Sequence, residues 1–310
     1  MSHSGTVLVP VDFSPHARAA VVRACDLARA SDAHVRLIHG VEPKVETGNA
    51  TDLADEPVEA GAPSPTGAPA SSNELESWCS ELALRGALIS AIVEREDPVA
   101  LIARHALAND VMLIVMGMHG FHDVGRLFFD SVADRALRAA RVPIMLVKEN
   151  EQHASERIHR ILLATDFSPA SEQALRLAIH WARRLEADVE VLHAIPDPEE
   201  ERLYDRPRDS ASRSARKRTN ALEGLRSILT RTAAAGVRAV ADLTYGAPSI
   251  EIVKYAARSR ADLVVMGLRE RTAVGLARYG SVSERVIRHV KCSVLVAPEL
   301  RRGEIQALPA

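Results

Sequence analysis

The chain has 310 residues, 47% of them hydrophobic and 26% charged, with a formal net charge of −2. That length suits two domains of ordinary size, and the balanced charge excludes a disordered polyelectrolyte and a globally basic nucleic-acid binder. Cys25, Cys79 and Cys292 are odd in number and far apart in sequence, which excludes a disulfide framework or a CxxC metal or redox site.

The start has no basic stretch leading into an apolar core, and no apolar run approaches the roughly 20 residues that span a bilayer. The expectation is a cytoplasmic protein without a membrane or nucleic-acid partner. In chain order, strands are predicted near Thr6–Val11, His34–Val41, Leu88–Glu94, Val111–Met116 and Ile144–Val147. They are rich in Val, Ile and Leu on both faces, as parallel strands covered on both sides are. Helices fill the gaps, the first opening at Ser14-Pro15, where an N-cap side chain precedes a first-turn proline. Between the second strand and the next helix, Glu42 to Asn73 is dominated by Pro, Gly, Ala and Ser and reads as a mobile surface loop.

After a short polar join, Lys148 to Arg157, the pattern starts again. "VLVPVDFSP" returns as "ILLATDFSP", which sets Asp166 154 residues after Asp12, and His193 follows His39 at the same spacing. "LIVMG" returns as "LVVMG", where Gly267 follows Gly117 by 150 residues, as Ser281 follows Ser131. The chain is two copies of one unit, the first with about four extra residues. Strands of the second copy are predicted near Arg160–Thr165, Asp188–Ala194, Val237–Leu243, Asp262–Met266 and Ser293–Ala297, with a helix opening at Ser168-Pro169. The expected domains are residues 1–150 and 157–300, followed by a tail over 301–310. Each is an α/β unit whose five strands and crossover helices form an open, doubly wound parallel sheet.

In a sheet ordered 3-2-1-4-5, a ligand binds beyond the carboxyl ends of strands one and four. Asp12 and Asp166 close strand one, Met116-Gly117 and Met266-Gly267 close strand four, and the last helix opens near Ser131 or Ser281. A glycine lets backbone approach a phosphate, a helix start offers amides, and the aspartate can take ribose hydroxyls or magnesium. Among the weaker signals, Arg202, Arg206, Arg208, Arg213, Arg216, Lys217 and Arg218 read as a solvated loop entering a charged helix, the less favoured alternative being a landing patch for phosphate or nucleic acid. His119, His122 and Asp123 have neither helical spacing nor a cysteine, so no metal site is assigned there. His39 and His193 read as packing residues, and Ser14 and Ser168 as caps.

At these residues the chain resembles the universal stress protein family in a tandem two-domain form, an adenine nucleotide alpha hydrolase-like fold. The resemblance implies ATP, with Mg2+, bound at a signature of glycine, two residues, glycine, nine residues, then glycine with serine or threonine. In the first copy Gly117 and Gly120 match, Asp130 replaces the third glycine, and Ser131 is kept. In the second, Gly267 matches, Glu270 replaces the second glycine, and Gly280 and Ser281 are intact. Other implied contacts are Pro10, Asp12, Gly40, Met116 and Val132 in the first copy. In the second they are Asp166, Ala194, Met266 and Val282, with Ala164 at the place of Pro10. Asp130 is expected to cap the last helix in place of a phosphate, and Glu270 to lie exposed in its loop between Arg269 and Arg271.

The expectation is therefore weak or single-site adenine nucleotide binding that modulates contacts with unidentified protein partners. The alternative is a ligand-independent interaction scaffold with its phosphate sites blocked by Asp130 and Glu270. A slow ATPase, or self-phosphorylation at Ser131 or Ser281, is the least favoured reading, and no catalytic residue is assigned. The resemblance also implies that "VPIMLVKE" and "CSVLVAPE" dock as a built-in pseudo-dimer, with homodimerisation through outer faces also open.

Overall fold

The computed structural model describes residues 5–41, 67–83, 86–108, 110–118, 131–139, 141–148, 157–196, 210–268, 270–273, 276–279 and 281–298. In the first half, strands β1 (Thr6–Pro10), β2 (His34–Gly40), β3 (Ile89–Glu94), β4 (Val111–Gly117) and β5 (Ile144–Val147) alternate with helices. These helices are α1 (Pro15–Ser31), α2 (Gly67–Ala83), α3 (Pro98–Ala106) and α4 (Val132–Ala139). The second half repeats the order with β6 (Arg160–Ala164), α5 (Pro169–Leu185), β7 (Asp188–Ile195), α6 (Ser210–Ala234), β8 (Ala239–Tyr245) and α7 (Pro248–Ser259). Then come β9 (Leu263–Leu268), β10 (Glu270–Ala273), β11 (Leu276–Tyr279), α8 (Ser281–His289) and β12 (Ser293–Pro298).

The two predicted five-stranded sheets are one. Its order is β3-β2-β1-β4-β5-β12-β9-β6-β7-β8, which is 3-2-1-4-5 in each half, joined at the last strands. Pairing is parallel within each half and antiparallel at the join, where Val294, Leu295 and Val296 face Leu146, Met145 and Ile144. The apolar last strands would otherwise be exposed edges, which favours pairing them. The expected docking of the two segments is realised inside one chain.

Two apolar layers cover the sheet, and each runs through both halves. One holds α1, α2, α5 and α6 against Val7, Val9, Leu163 and Val191. The other holds α3, α4, α7 and α8 against Leu8, Ile114, Leu162 and Val264. The helix starts follow the sequence. Ser14 Oγ accepts from Ala17 N at 3.1 Å, Ser168 Oγ from Ser171 N at 3.3 Å, and a proline follows each cap. Asp97 caps α3 in the same manner, whereas Ala247 opens α7 without a side-chain cap.

Two expectations need correction. The loop predicted to reach Asn73 ends earlier, because helix α2 begins at Gly67. Pro69 is tolerated there since the first helical turn needs no partner for the missing N–H. Residues 42–66 lie outside the described residues. The stretch around Glu270 is not a loop: β10 and β11 form an antiparallel hairpin in which Glu270 pairs with Tyr279 and Ala273 with Leu276. No helix among the described residues is long and apolar enough to cross a membrane.

Candidate functional site

Strand one ends identically in both halves, and the local chemistry explains why. Asp12 Oδ1 accepts from Ser14 N at 3.0 Å, and Asp166 Oδ1 from Ser168 N at 3.0 Å, so each aspartate fastens the turn into the following helix. Asp166 also accepts from Ser171 Oγ at 2.6 Å. Between aspartate and serine, Phe13 and Phe167 adopt left-handed backbone, with φ of 63° and 59°. That conformation is costly for an aromatic residue and marks a turn fixed by its surroundings. Each ring then packs on the histidine that ends strand two, with centroids 4.8 Å apart for Phe13–His39 and 4.5 Å for Phe167–His193. The histidine Nδ1 atoms lie 2.7 Å and 2.8 Å from the carbonyls of Val11 and Thr165.

The glycines that close strand four have a packing task. A Cβ on Gly117 would lie 2.8 Å from the backbone carbon of His16, and one on Gly267 would lie 2.5 Å from that of Ala170. Both glycines let the first turn of α1 or α5 press onto strand four, so their smallness serves internal packing. Gly40 is similar: a Cβ there would meet the Glu96 carbonyl oxygen at 2.9 Å. Parallel pairing of β1 with β4 and of β6 with β9 sets the ends of strands one and four side by side in each half.

In the second half the ends enclose a cavity of about 470 Å³. Its apolar walls are Ala164, Leu192, Ile195, Ile252 and Met266, and its polar groups include Asp166, Ser171, His193, Lys217, Asn220 and Ser283. Of the expected second-copy residues, Asp166, Ala194, Met266, Gly267 and Val282 line it. Ser283 Oγ donates to the Gly267 carbonyl at 3.3 Å, tying the start of α8 to the end of strand four. Ser281 opens α8, and Gly280 lies outside the described residues.

In the first half Pro10 ends β1, Gly40 ends β2, and Met116 is buried beside Gly117 at the end of β4. Ser131 is buried and its Oγ accepts from Asp134 N at 3.1 Å, so Ser131 itself caps α4, with Val132 exposed at the first helical position. Gly120 and Asp130 lie outside the described residues, as do His119, His122 and Asp123. Trp78 packs edge-on against Phe13 with centroids 5.6 Å apart, and Arg18 lies over the same indole at 4.9 Å.

Phe167, Asn220 and Ala221 escaped the sequence reading, and Lys217 was read as part of a solvated run. Arg216 and Arg218 are indeed exposed, but Lys217 is half-buried and turns toward the cavity. The usable signal was spacing. Lys217, Asn220, Ala221 and Gly224 fall on one helical face, and a Cβ on Gly224 would lie 2.6 Å from the Phe167 ring.

Two stretches of the chain, 4–148 and 157–298, match the model of the universal stress protein family. A universal stress protein of Methanocaldococcus jannaschii is 28% identical over 145 residues, covering 46% of this chain and 84% of that protein. Among solved structures, a universal stress protein from Archaeoglobus fulgidus aligns with a TM-score of 0.64 at 21% identity, covering 96% of this chain and 97% of the other. A further one, described as a putative universal stress protein from Pseudomonas aeruginosa, aligns with a TM-score of 0.62 at 18% identity over 94% of this chain and 92% of its own. At those identities the structural likeness carries the fold alone.

Proposed function

Since the chain belongs to the universal stress protein family, with two family units in tandem, we propose that it binds an adenine nucleotide in its second unit, residues 157–300, and that occupancy alters its contacts with protein partners. One observation carries this reading: a single cavity of about 470 Å³ joins Asp166, Gly267 and Val282. That volume lies within the roughly 300–1,000 Å³ typical of small-molecule sites. Its composition also suits a nucleoside. Ala164, Ala194, Leu192 and Met266 offer an apolar slot for a base, and Asp166 offers a carboxylate to ribose hydroxyls. Magnesium usually keeps several waters and takes one or two carboxylates plus substrate phosphates. Asp166 is the carboxylate lining this cavity, and the ion would arrive with the phosphates.

The reading is binding rather than chemistry. Ser168 and Ser171 are committed to the turn at Asp166, and His193 Nδ1 to the Thr165 carbonyl. In the first half, Trp78 on Phe13 favours the scaffold alternative for that unit. Titration calorimetry with ATP and Mg2+ tests the proposal. We expect one site per chain, lost in Asp166→Ala and kept in Asp12→Ala. Two equal sites would overturn the single-unit assignment, and no heat with ATP, ADP or AMP would leave the scaffold reading in its place.

A further inference from the structure

We propose that Lys217 and Asn220 of α6 hold a phosphate group of the ligand, so that phosphate recognition in this chain depends on a helix flank as well as on the segment after strand four. The inference rests on the second-unit cavity being the ligand site. Three observations support it. First, among the described residues lining the cavity Lys217 is the one lysine or arginine, and Asn220 lies one helical turn further along the same face. An ammonium with three donors beside a carboxamide suits phosphate oxygens.

Second, the glycine segment departs from the signature in sequence. Gly267 is filled against Ala170, and the position of the second signature glycine, Glu270, starts a strand whose backbone pairs with β11. The backbone at the second signature position is thus engaged in a hairpin ladder.

Third, the other half serves as an internal control. The salt bridge between Arg18 and Glu81 recurs with its signs exchanged between Glu172 and Arg231, where Arg231 Nη1 lies 2.7 Å from Glu172 Oε2. Glu81 and Arg231 are 150 residues apart, as are Gly86 and Gly236, which end the turns after α2 and α6. At that spacing Lys217, Asn220 and Ala221 correspond to Gly67, Ala70 and Ser71. Helix α6 has 25 residues against 17 in α2, so α2 begins at Gly67, the position that corresponds to Lys217. The repeat thus places a lysine in the second half where the sequence of the first has a glycine.

The test is an amide and lysine-ammonium NMR titration of the full chain with three probes: ATP, adenosine and inorganic tripolyphosphate. Wild-type protein, Lys217→Gln and Asn220→Ala are compared. We expect tripolyphosphate and ATP, but not adenosine, to shift the Lys217 ammonium. Lys217→Gln should weaken ATP roughly tenfold to a hundredfold while leaving adenosine unchanged, the range for a hydrogen bond to a charged group. Asn220→Ala should weaken ATP to a smaller degree. Tripolyphosphate binding that disappears in Lys217→Gln supports the phosphate site even where adenosine fails to bind, an outcome that removes only the adenine reading. Equal ATP affinity in wild type and Lys217→Gln, or a Lys217 ammonium unmoved by every probe, overturns the proposal. Amide spectra of the variants report that the fold is retained.

Discussion

Gly267 has space for a hydrogen atom and nothing larger, because the backbone of Ala170 and Ser171 closes over it at 2.5–2.7 Å from a would-be Cβ. Backbone cannot swing aside as a flexible side chain can, so Gly267→Ala should cost about 2–3 kcal/mol, read as a lower urea midpoint with unchanged slope. His180 makes a second residue-scale case. Burial first, then the Arg184 and Arg183 charges, push its pKa down from 6.5 to about 4. Its ring packs edge-on to Trp181 with centroids 5.0 Å apart, and its Nε2 is buried without a hydrogen-bond partner among the described residues. The folded form thus binds the proton less well than the unfolded form. Full stability holds above pH 6.5 and is lost progressively as pH falls toward 4. The shift corresponds to at most about 3 kcal/mol, and partial exposure of the ring reduces that to roughly 1–2 kcal/mol. Urea midpoints at pH 7.5 and 4.5 check it, and His180→Gln should flatten the difference.

Helix α6 shows how one element can be legible in one respect and hidden in another. Its existence and charge were readable, as were all ten sheet strands to within about two residues, because parallel strands buried on both faces carry dense apolar runs. The strand ends at Asp12, Asp166, Gly117 and Gly267 were readable from the repeat. The packing role of the glycines was not, since the contact of α1 and α5 with strand four is long-range and has no local signature. Hairpin β10–β11 was also missed, its strands being only four residues each. On α6 itself, Gly224 leaves room for the Phe167 ring. Gly224→Ala gains roughly 1 kcal/mol of helix propensity but drives that ring, 40% exposed, toward the cavity. We expect stability within about 1 kcal/mol of wild type and ATP affinity reduced at least roughly tenfold, measured by thermal melting and calorimetry. A loss of stability well beyond that would mean the ring cannot yield.

For the whole molecule, the continuous sheet and the two apolar layers that cross its midline predict a single cooperative unfolding step. The chain carries two tryptophans, and Trp78 and Trp181 fall one in each half. Trp78→Phe and Trp181→Phe therefore yield proteins whose fluorescence follows the opposite half alone. Their urea midpoints should coincide with each other and with circular dichroism, whereas separated midpoints would show two independently folding units.

The antiparallel seam has one more consequence. β5 is flanked by β4 and β12, and β12 by β5 and β9, so the strand by which one unit grips the other has both its sides saturated. Among the described residues, β3 and β8 terminate this sheet. Among the described residues, a second copy of this chain therefore cannot pair with β5 or β12 in the main sheet, and strand-to-strand association there has to recruit β3 or β8.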